Sequence, residues 1–197
     1  RKSIWRKGAV IDYQEFLRNK VIFDPLTGHE PKDISPVLFD FQRDIDRWAL
    51  RRGRAAIFAD CGLGKTAMQL EWAKHVIDET DGDVLILAPL AVSSQTAREA
   101  RNLLGMNVTI CATGDDVKPG INITNYEKLH HFDVDQFSGV VLDESSIIKS
   151  HTSKTRDILL ASFSQTPYRL ACTATPSPND YMELGNHAEF LGVMTRS

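Results

Sequence analysis

Apolar residues recur at two spacings along this chain, and the alternation between them lays out its elements. From Leu38 the period is helical, with Phe41, Ile45, Trp48 and Ala49 or Leu50 on one face. The run Ala55-Ala56-Ile57-Phe58 reads as a strand. From Lys65 a second helix carries Met68, Leu70, Trp72, Ala73, Val76 and Ile77, a stripe wide enough to be largely buried. Val84 to Ala88 is a continuous apolar strand ending at Pro89, followed by a helix with Ala97, Ala100, Leu103 and Leu104 inward and Gly105 as its stop. Shorter strands are expected at Asn107 to Cys111, Ile121 to Thr124, Gly139 to Leu142 and Tyr168 to Cys172, with helices near 152–163 and 178–191. Ser177, Pro178 and Asp180 supply an N-cap, a first-turn proline and an acidic third position for the last helix. Strands apolar on both faces, alternating with helices, predict an α/β fold with a mostly parallel sheet covered on both sides.

Residues 1–36 break this pattern. Pro25, Gly28, Pro31 and Pro36 interrupt any long element, and Tyr13, Phe16, Leu17, Ile22 and Phe23 could dock the segment onto the body formed by 37–197. A length of 197 residues, 42% hydrophobic and 25% charged, suits one globular domain with a real core. The net charge of −3 requires any nucleic-acid contact to come from a local surface rather than a basic excess. Cys61, Cys111 and Cys172 are odd in number and widely spaced, which argues against a disulfide framework or a zinc site and for a reducing compartment. No apolar run approaches the roughly 18 residues of a membrane span, so no membrane partner is expected. The chain begins with Arg1 and ends at Val193-Met194-Thr195-Arg196-Ser197, which suggests a piece of a longer protein.

Chemistry concentrates directly after the strands, at 59–66, 89–95, 124–127, 143–146 and 173–176. In a parallel sheet those ends share one edge, where ligands of open α/β sheets bind. Ala59-Asp60-Cys61-Gly62-Leu63-Gly64-Lys65-Thr66 joins a strand to a helix N-terminus and reads as a phosphate-binding loop. Gly62, Leu63 and Gly64 would offer backbone N–H groups, Lys65 would reach the β- and γ-phosphates, and Thr66 would ligate Mg²⁺. Ala59 stands where the generic loop has glycine; a glycine-rich turn without a ligand is the bland alternative. Asp143 can hold Mg²⁺, and Glu144 can orient and deprotonate an attacking water. Gln42 follows an aromatic, and its carboxamide could read adenine by donating to N7 and accepting from the exocyclic amine. ATP and Mg²⁺ are the ligands these residues imply.

From about residue 37 to 191 these motifs resemble the first, RecA-like motor lobe of superfamily 2 helicases and translocases. The nearest likeness is to Swi/Snf-type remodellers and their phage and bacterial relatives. Ala59 to Thr66 is similar to the family's A-x-x-G-x-G-K-T, which accounts for Ala59. Asp143-Glu144-Ser145-Ser146 stands where relatives carry D-E-A-D, D-E-A-H or D-E-G-H, followed by Ile148-Lys149-Ser150. Thr173-Ala174-Thr175-Pro176 looks like the motif that couples hydrolysis to nucleic-acid grip, and Phe41-Gln42 like the Q-motif. The resemblance implies nucleic-acid contacts at Ser93, Ser94, Gln95, Arg98, Asn125, Tyr126 and Lys149 with Lys154, ordinary helix capping being the alternative for the serines. The His or Asp of the acidic motif that bridges to Thr173 or Gln42 in relatives is absent, which could alter coupling; a Ser146 hydroxyl could still make a hydrogen bond across that gap, without a charge. A second lobe, carrying an arginine finger, would complete the motor, so this stretch alone should be nearly inactive. The implied setting is inside a cell, phage or bacterial, on DNA in preference to RNA. An RNA-remodelling ATPase and a nucleotide-gated binding module with little hydrolysis remain the alternatives.

Overall fold

The computed structural model describes residues 26–150, 153–177 and 184–194, and at 149, 150 and 153–155 the backbone alone. The docking residues Tyr13 to Phe23 and the capping residues Pro178 and Asp180 lie outside the described residues. In chain order come α1 (Asp40–Arg52), β1 (Arg54–Phe58), α2 (Lys65–Thr80), β2 (Asp83–Ala88), α3 (Ser93–Leu104), β3 (Val108–Ile110) and β4 (Ile121–Asn125). They are followed by β5 (Phe137–Asp143), α4 (Ile147–Ser150), α5 (Ser153–Ser162), β6 (Tyr168–Thr173) and α6 (Leu184–Phe190). The strands form one six-stranded sheet in the order β1-β6-β5-β2-β4-β3, and every pairing is parallel. This is a RecA-like α/β fold.

Side chains alternate between two cores because successive strand residues point to opposite faces. Val84, Ile86 and Ala88 of β2, Val141 of β5 and Leu170 and Cys172 of β6 join Met68, Leu70, Trp72, Ala73 and Val76 of α2. Leu85, Leu87, Val140, Leu142 and Ala171 face the other way, onto Ile148, Leu159, Phe163 and Phe190. Both layers are closed, which is why the central strands read as unbroken apolar runs.

Two helix faces depart from the periodicity reading. In α1 the buried residues are Gln42, Asp46, Ala49 and Leu50, whereas Phe41 and Trp48 are 44% and 48% exposed. Periodicity assigns the inward face to the larger apolar side chains, but α1 turns its polar residues toward the phosphate loop and α2. In α3, Leu103 is exposed, while Thr96 and Ser93 are buried beside Ala100.

Residues 27–29 close the C-terminal end of α1. The N–H groups of Thr27, Gly28 and His29 donate to the carbonyls of Arg52, Arg51 and Leu50, which a helix end otherwise leaves unpaired. A Cβ at Gly28 would stand 1.8 Å from the Leu50 carbonyl oxygen, so only glycine fits. Arg169 fastens α6 to β6: its buried guanidinium donates to the carbonyls of Thr166, Ser164 and Phe190. Burial pulls Arg169 down to about 10, still cationic at neutral pH.

Candidate nucleotide site

Register places Phe58 opposite Thr173, Asp143 opposite Cys172, and Ala88 opposite Asn125. The five strand-end clusters therefore lie along one edge of the sheet. The phosphate loop starts there and turns through two left-handed glycines, Gly62 (φ 83°) and Gly64 (φ 75°). A Cβ at Gly64 would stand 2.3 Å from Nε2 of Gln42, while one at Gly62 would meet nothing within 4 Å. Gly64 thus permits close packing, and Gly62 leaves an open approach to the backbone. Lys65 arches back so that Nζ donates to the carbonyls of Ala59 (2.9 Å) and Asp60 (3.3 Å), leaving one ammonium N–H for an anion.

Gln42 is buried and engaged at both ends of its carboxamide. Oε1 accepts from the Phe39 N–H (2.9 Å), and Nε2 donates to the Leu63 carbonyl (2.9 Å). It clamps the start of α1 to the phosphate loop, keeping one N–H and one lone pair for a base.

The acidic turn is held from several sides. Asp143 Oδ1 accepts from Nε2 of Gln69 on α2 at 2.7 Å, tying the helix behind the phosphate loop to the end of β5. Burial pushes the Asp143 carboxyl above the usual carboxylate range and the Glu144 charge adds to the rise, against the pull of the Gln69 hydrogen bond and the Lys65 charge. Glu144 adopts a left-handed backbone (φ 49°), unusual for a residue with a side chain. Thr173 Oγ1 lies 3.4 Å from Glu144 Oε2 and accepts from the Thr175 N–H at 3.1 Å. The Ser145 N–H donates to the Cys172 carbonyl (2.8 Å), and its buried hydroxyl pairs with Nε2 of His187 at 2.9 Å. Ser145 thus bridges from this turn to α6.

These residues fit a nucleotide with a divalent cation. A desolvated carboxylate with raised proton affinity, beside an ammonium and a hydroxyl-bearing helix start, is a site whose charge a bound cation would relieve. Thr66 lies in the first turn of α2 next to Lys65. Among the described residues, no cluster of three His, Cys, Asp or Glu side chains could hold a metal unaided.

The residues expected to meet nucleic acid divide. Ser94 and Arg98 are exposed at the start of α3, and Gln95 is paired to Glu99 at 2.8 Å. Val92, not a serine, is the N-cap, and no side chain caps this helix, so its first N–H groups stay available. Asn125 caps the next turn through Oδ1 and the Lys128 N–H (3.0 Å). Tyr126 departs from expectation: its hydroxyl is fully buried and donates to the Asp143 carbonyl at 2.7 Å, which removes it as a phosphate donor. Its ring instead helps to line a cavity of about 410 Å³ with Pro89, Leu90, Asn125, Ile147 and Leu159. The side chains of Lys149 and Lys154 lie outside the described residues.

Sequence reasoning misses Gln69 and His187. Gln69 carries a faint signal as a polar residue inside the apolar stripe of α2; His187, alone on the last helix, carries none.

The family model of the SNF2-related domain matches residues 41–195. No curated protein matches the chain. Among solved structures, the SWI2/SNF2 ATPase core of Sulfolobus solfataricus in complex with dsDNA is 22% identical, with a TM-score of 0.68 over 84% of this chain and 38% of that one. The UvsW helicase from bacteriophage T4 is 12% identical, with a TM-score of 0.64 over 92% of this chain and 66% of that one. The Hef helicase domain of Pyrococcus furiosus is 18% identical, with a TM-score of 0.63 over 77% and 36%. At these identities the likeness carries the fold alone. The chain spans 38% of the length of the Sulfolobus core. Among the described residues no helix is long and apolar enough to cross a membrane.

Proposed function

The chain belongs to the SNF2-related domain family, and on that premise we propose that it is the ATP-binding lobe of a DNA translocase or helicase, hydrolysing ATP to drive movement on DNA when paired with a second lobe. The observation that carries this reading is the 2.7 Å bond between Gln69 and Asp143, which sets the helix of the phosphate loop against the acidic turn. Backbone N–H groups of Gly62 to Gly64 and the Lys65 ammonium bind the β- and γ-phosphates. Thr66 and Asp143 would hold Mg²⁺, which when bound neutralises charge on the phosphate oxygens. Glu144 takes the proton of the attacking water, and Thr173, 3.4 Å from its carboxylate, reports the change to the segment running to Thr175.

The uncapped start of α3, with Ser94, Gln95 and Arg98, suits a phosphate backbone, recognised without reference to sequence. Support for DNA comes from the Sulfolobus core, which was solved with dsDNA. The test is phosphate release by the full-length protein with duplex DNA, single-stranded DNA or RNA, beside the 197-residue chain alone. Duplex DNA should stimulate most. The chain alone should stay near background, since an arginine finger supplied by a second lobe is worth roughly 10³ to 10⁵ in rate in related phosphoryl transfers. Stimulation by RNA alone would replace the DNA reading, and no stimulation by any polynucleotide would remove the motor.

A further inference from the structure

His187 meets the end of β1 and the turn that follows β5. Its Nε2 is 2.9 Å from the Ser145 hydroxyl, one residue past Glu144, and both side chains are almost fully buried. Its ring meets Phe58 edge-on, with centroids 5.3 Å apart and planes at 82°. Phe58 is the last residue of β1, directly before the phosphate loop, and pairs in register with Thr173. One imidazole therefore touches the residue that precedes the phosphate loop and the residue that follows the acidic pair. It does so from the helix that comes after the Thr173–Thr175 segment.

We infer that His187 is a positioning residue: through Ser145 it fixes the turn that aims Glu144, and through Phe58 it registers that turn against the phosphate loop. This rests on the reading of the site as an ATPase. A left-handed Glu144 is strained and persists only where its neighbours are over-determined. The Asp143 carbonyl is held by Tyr126, the Ser145 N–H by the Cys172 carbonyl, and the Ser145 hydroxyl by His187. Of these three bonds only the last comes from α6, which Arg169 anchors to β6 through the Phe190 carbonyl. A shift of α6 is thus transmitted to Glu144 by that bond. The bond also resists slack, because a buried hydroxyl or imidazole that loses its partner is left desolvated and unpaired.

The test uses the full-length protein and compares wild type with His187→Phe, Ser145→Ala, the double variant and His187→Gln, reading kcat and KM for ATP in DNA-stimulated phosphate release. Phenylalanine keeps the ring against Phe58 but cannot pair with Ser145, whereas glutamine places an amide where Nε2 was. His187→Phe and Ser145→Ala should each lower kcat by about 10- to 100-fold, the loss expected when a reacting group is misplaced. KM should move by less than about 3-fold, and the double variant should be no worse than either single one. His187→Gln should recover most of the rate. A wild-type kcat in both single variants, or losses that multiply in the double one, would overturn the inference while leaving the ATPase reading intact. If His187→Phe does not fold, Ser145→Ala, which removes one oxygen, decides alone. A wild type without turnover would instead overturn the ATPase reading, and this inference with it.

Discussion

The hydroxyl of Tyr126 donates to the main-chain carbonyl of Asp143 at 2.7 Å, so a residue lining the groove beyond β2 and β4 holds the backbone of the acidic turn. Anything that presses on the ring in that groove presses on the turn. Tyr126→Phe keeps the ring and leaves the Asp143 carbonyl without its donor. The variant should unfold about 1–3 kcal/mol more easily in denaturant, the usual loss for a buried group left unpaired. ATP affinity should be unchanged, and stimulation of turnover by DNA should shrink. Stimulation equal to wild type would confine Tyr126 to a structural role.

Lys65→Ala and Glu144→Gln should fail in different ways. The first removes the ammonium that bonds the Ala59 and Asp60 carbonyls and would meet the phosphates, so ATP binding should fall by at least about tenfold. The second keeps the shape of the side chain and removes its ability to take a proton. ATP should still bind while turnover drops by about 10²- to 10⁴-fold. Equilibrium binding of a fluorescent ATP analogue, set beside phosphate release, separates them; equal loss of binding in both variants would count against the assigned roles.

Much of this arrangement is legible because a parallel sheet covered on both faces demands unbroken apolar strands. β2, with Val84 to Ala88 all fully buried, can hardly be read otherwise. Chemistry placed directly after each strand then has to converge on one edge. What stays hidden are the bonds between side chains far apart in sequence. Gln69 interrupts an apolar stripe and gives no hint that its partner is Asp143. His187 pairs with Ser145 only because α6 packs beside β5 and β6. Tyr126 reads as a surface contact because its motif does, and burial of the hydroxyl depends on a carbonyl that no residue pattern marks. The face of α1 misleads for the opposite reason. Size favours Phe41 and Trp48, but the polar Gln42 and Asp46 turn inward to the phosphate loop and α2.

Cys61 is exposed in the phosphate loop, whereas Cys111 and Cys172 are buried and burial pushes both thiols up. In the folded protein an alkylating reagent should therefore modify Cys61 first. Bound ATP should cover the loop and slow that reaction, while the other two cysteines remain slow throughout. Mass spectrometry of labelled peptides with and without ATP checks this; labelling of Cys61 that ignores nucleotide would place the phosphates elsewhere.

Asp46 is fully buried between α1 and α2, and among the described residues neither carboxyl oxygen has a hydrogen-bond partner. Burial first, and the Glu71 charge second, push its carboxyl up to about 9. Glu71 remains the charged member. Despite the desolvation that would raise it, hydrogen bonds from His75 and the Ser35 N–H hold it below its ordinary range. The folded protein therefore keeps a proton on Asp46 that the unfolded chain releases near pH 4, with a definite consequence for stability. The stabilisation of the protonated form is complete below about pH 4 and is lost as pH rises toward 9, by up to about 1.4 kcal/mol per pH unit in that window. The substitution Asp46→Asn puts a group that does not titrate in this place and removes the dependence. The melting temperature of that variant relative to wild type should climb steadily between about pH 5 and 9, even if it starts lower at the acid end because its amide is unpaired. Thermal unfolding of both proteins across that range measures the slope. Parallel curves would mean that Asp46 is ionised in the folded state as it is in the unfolded chain.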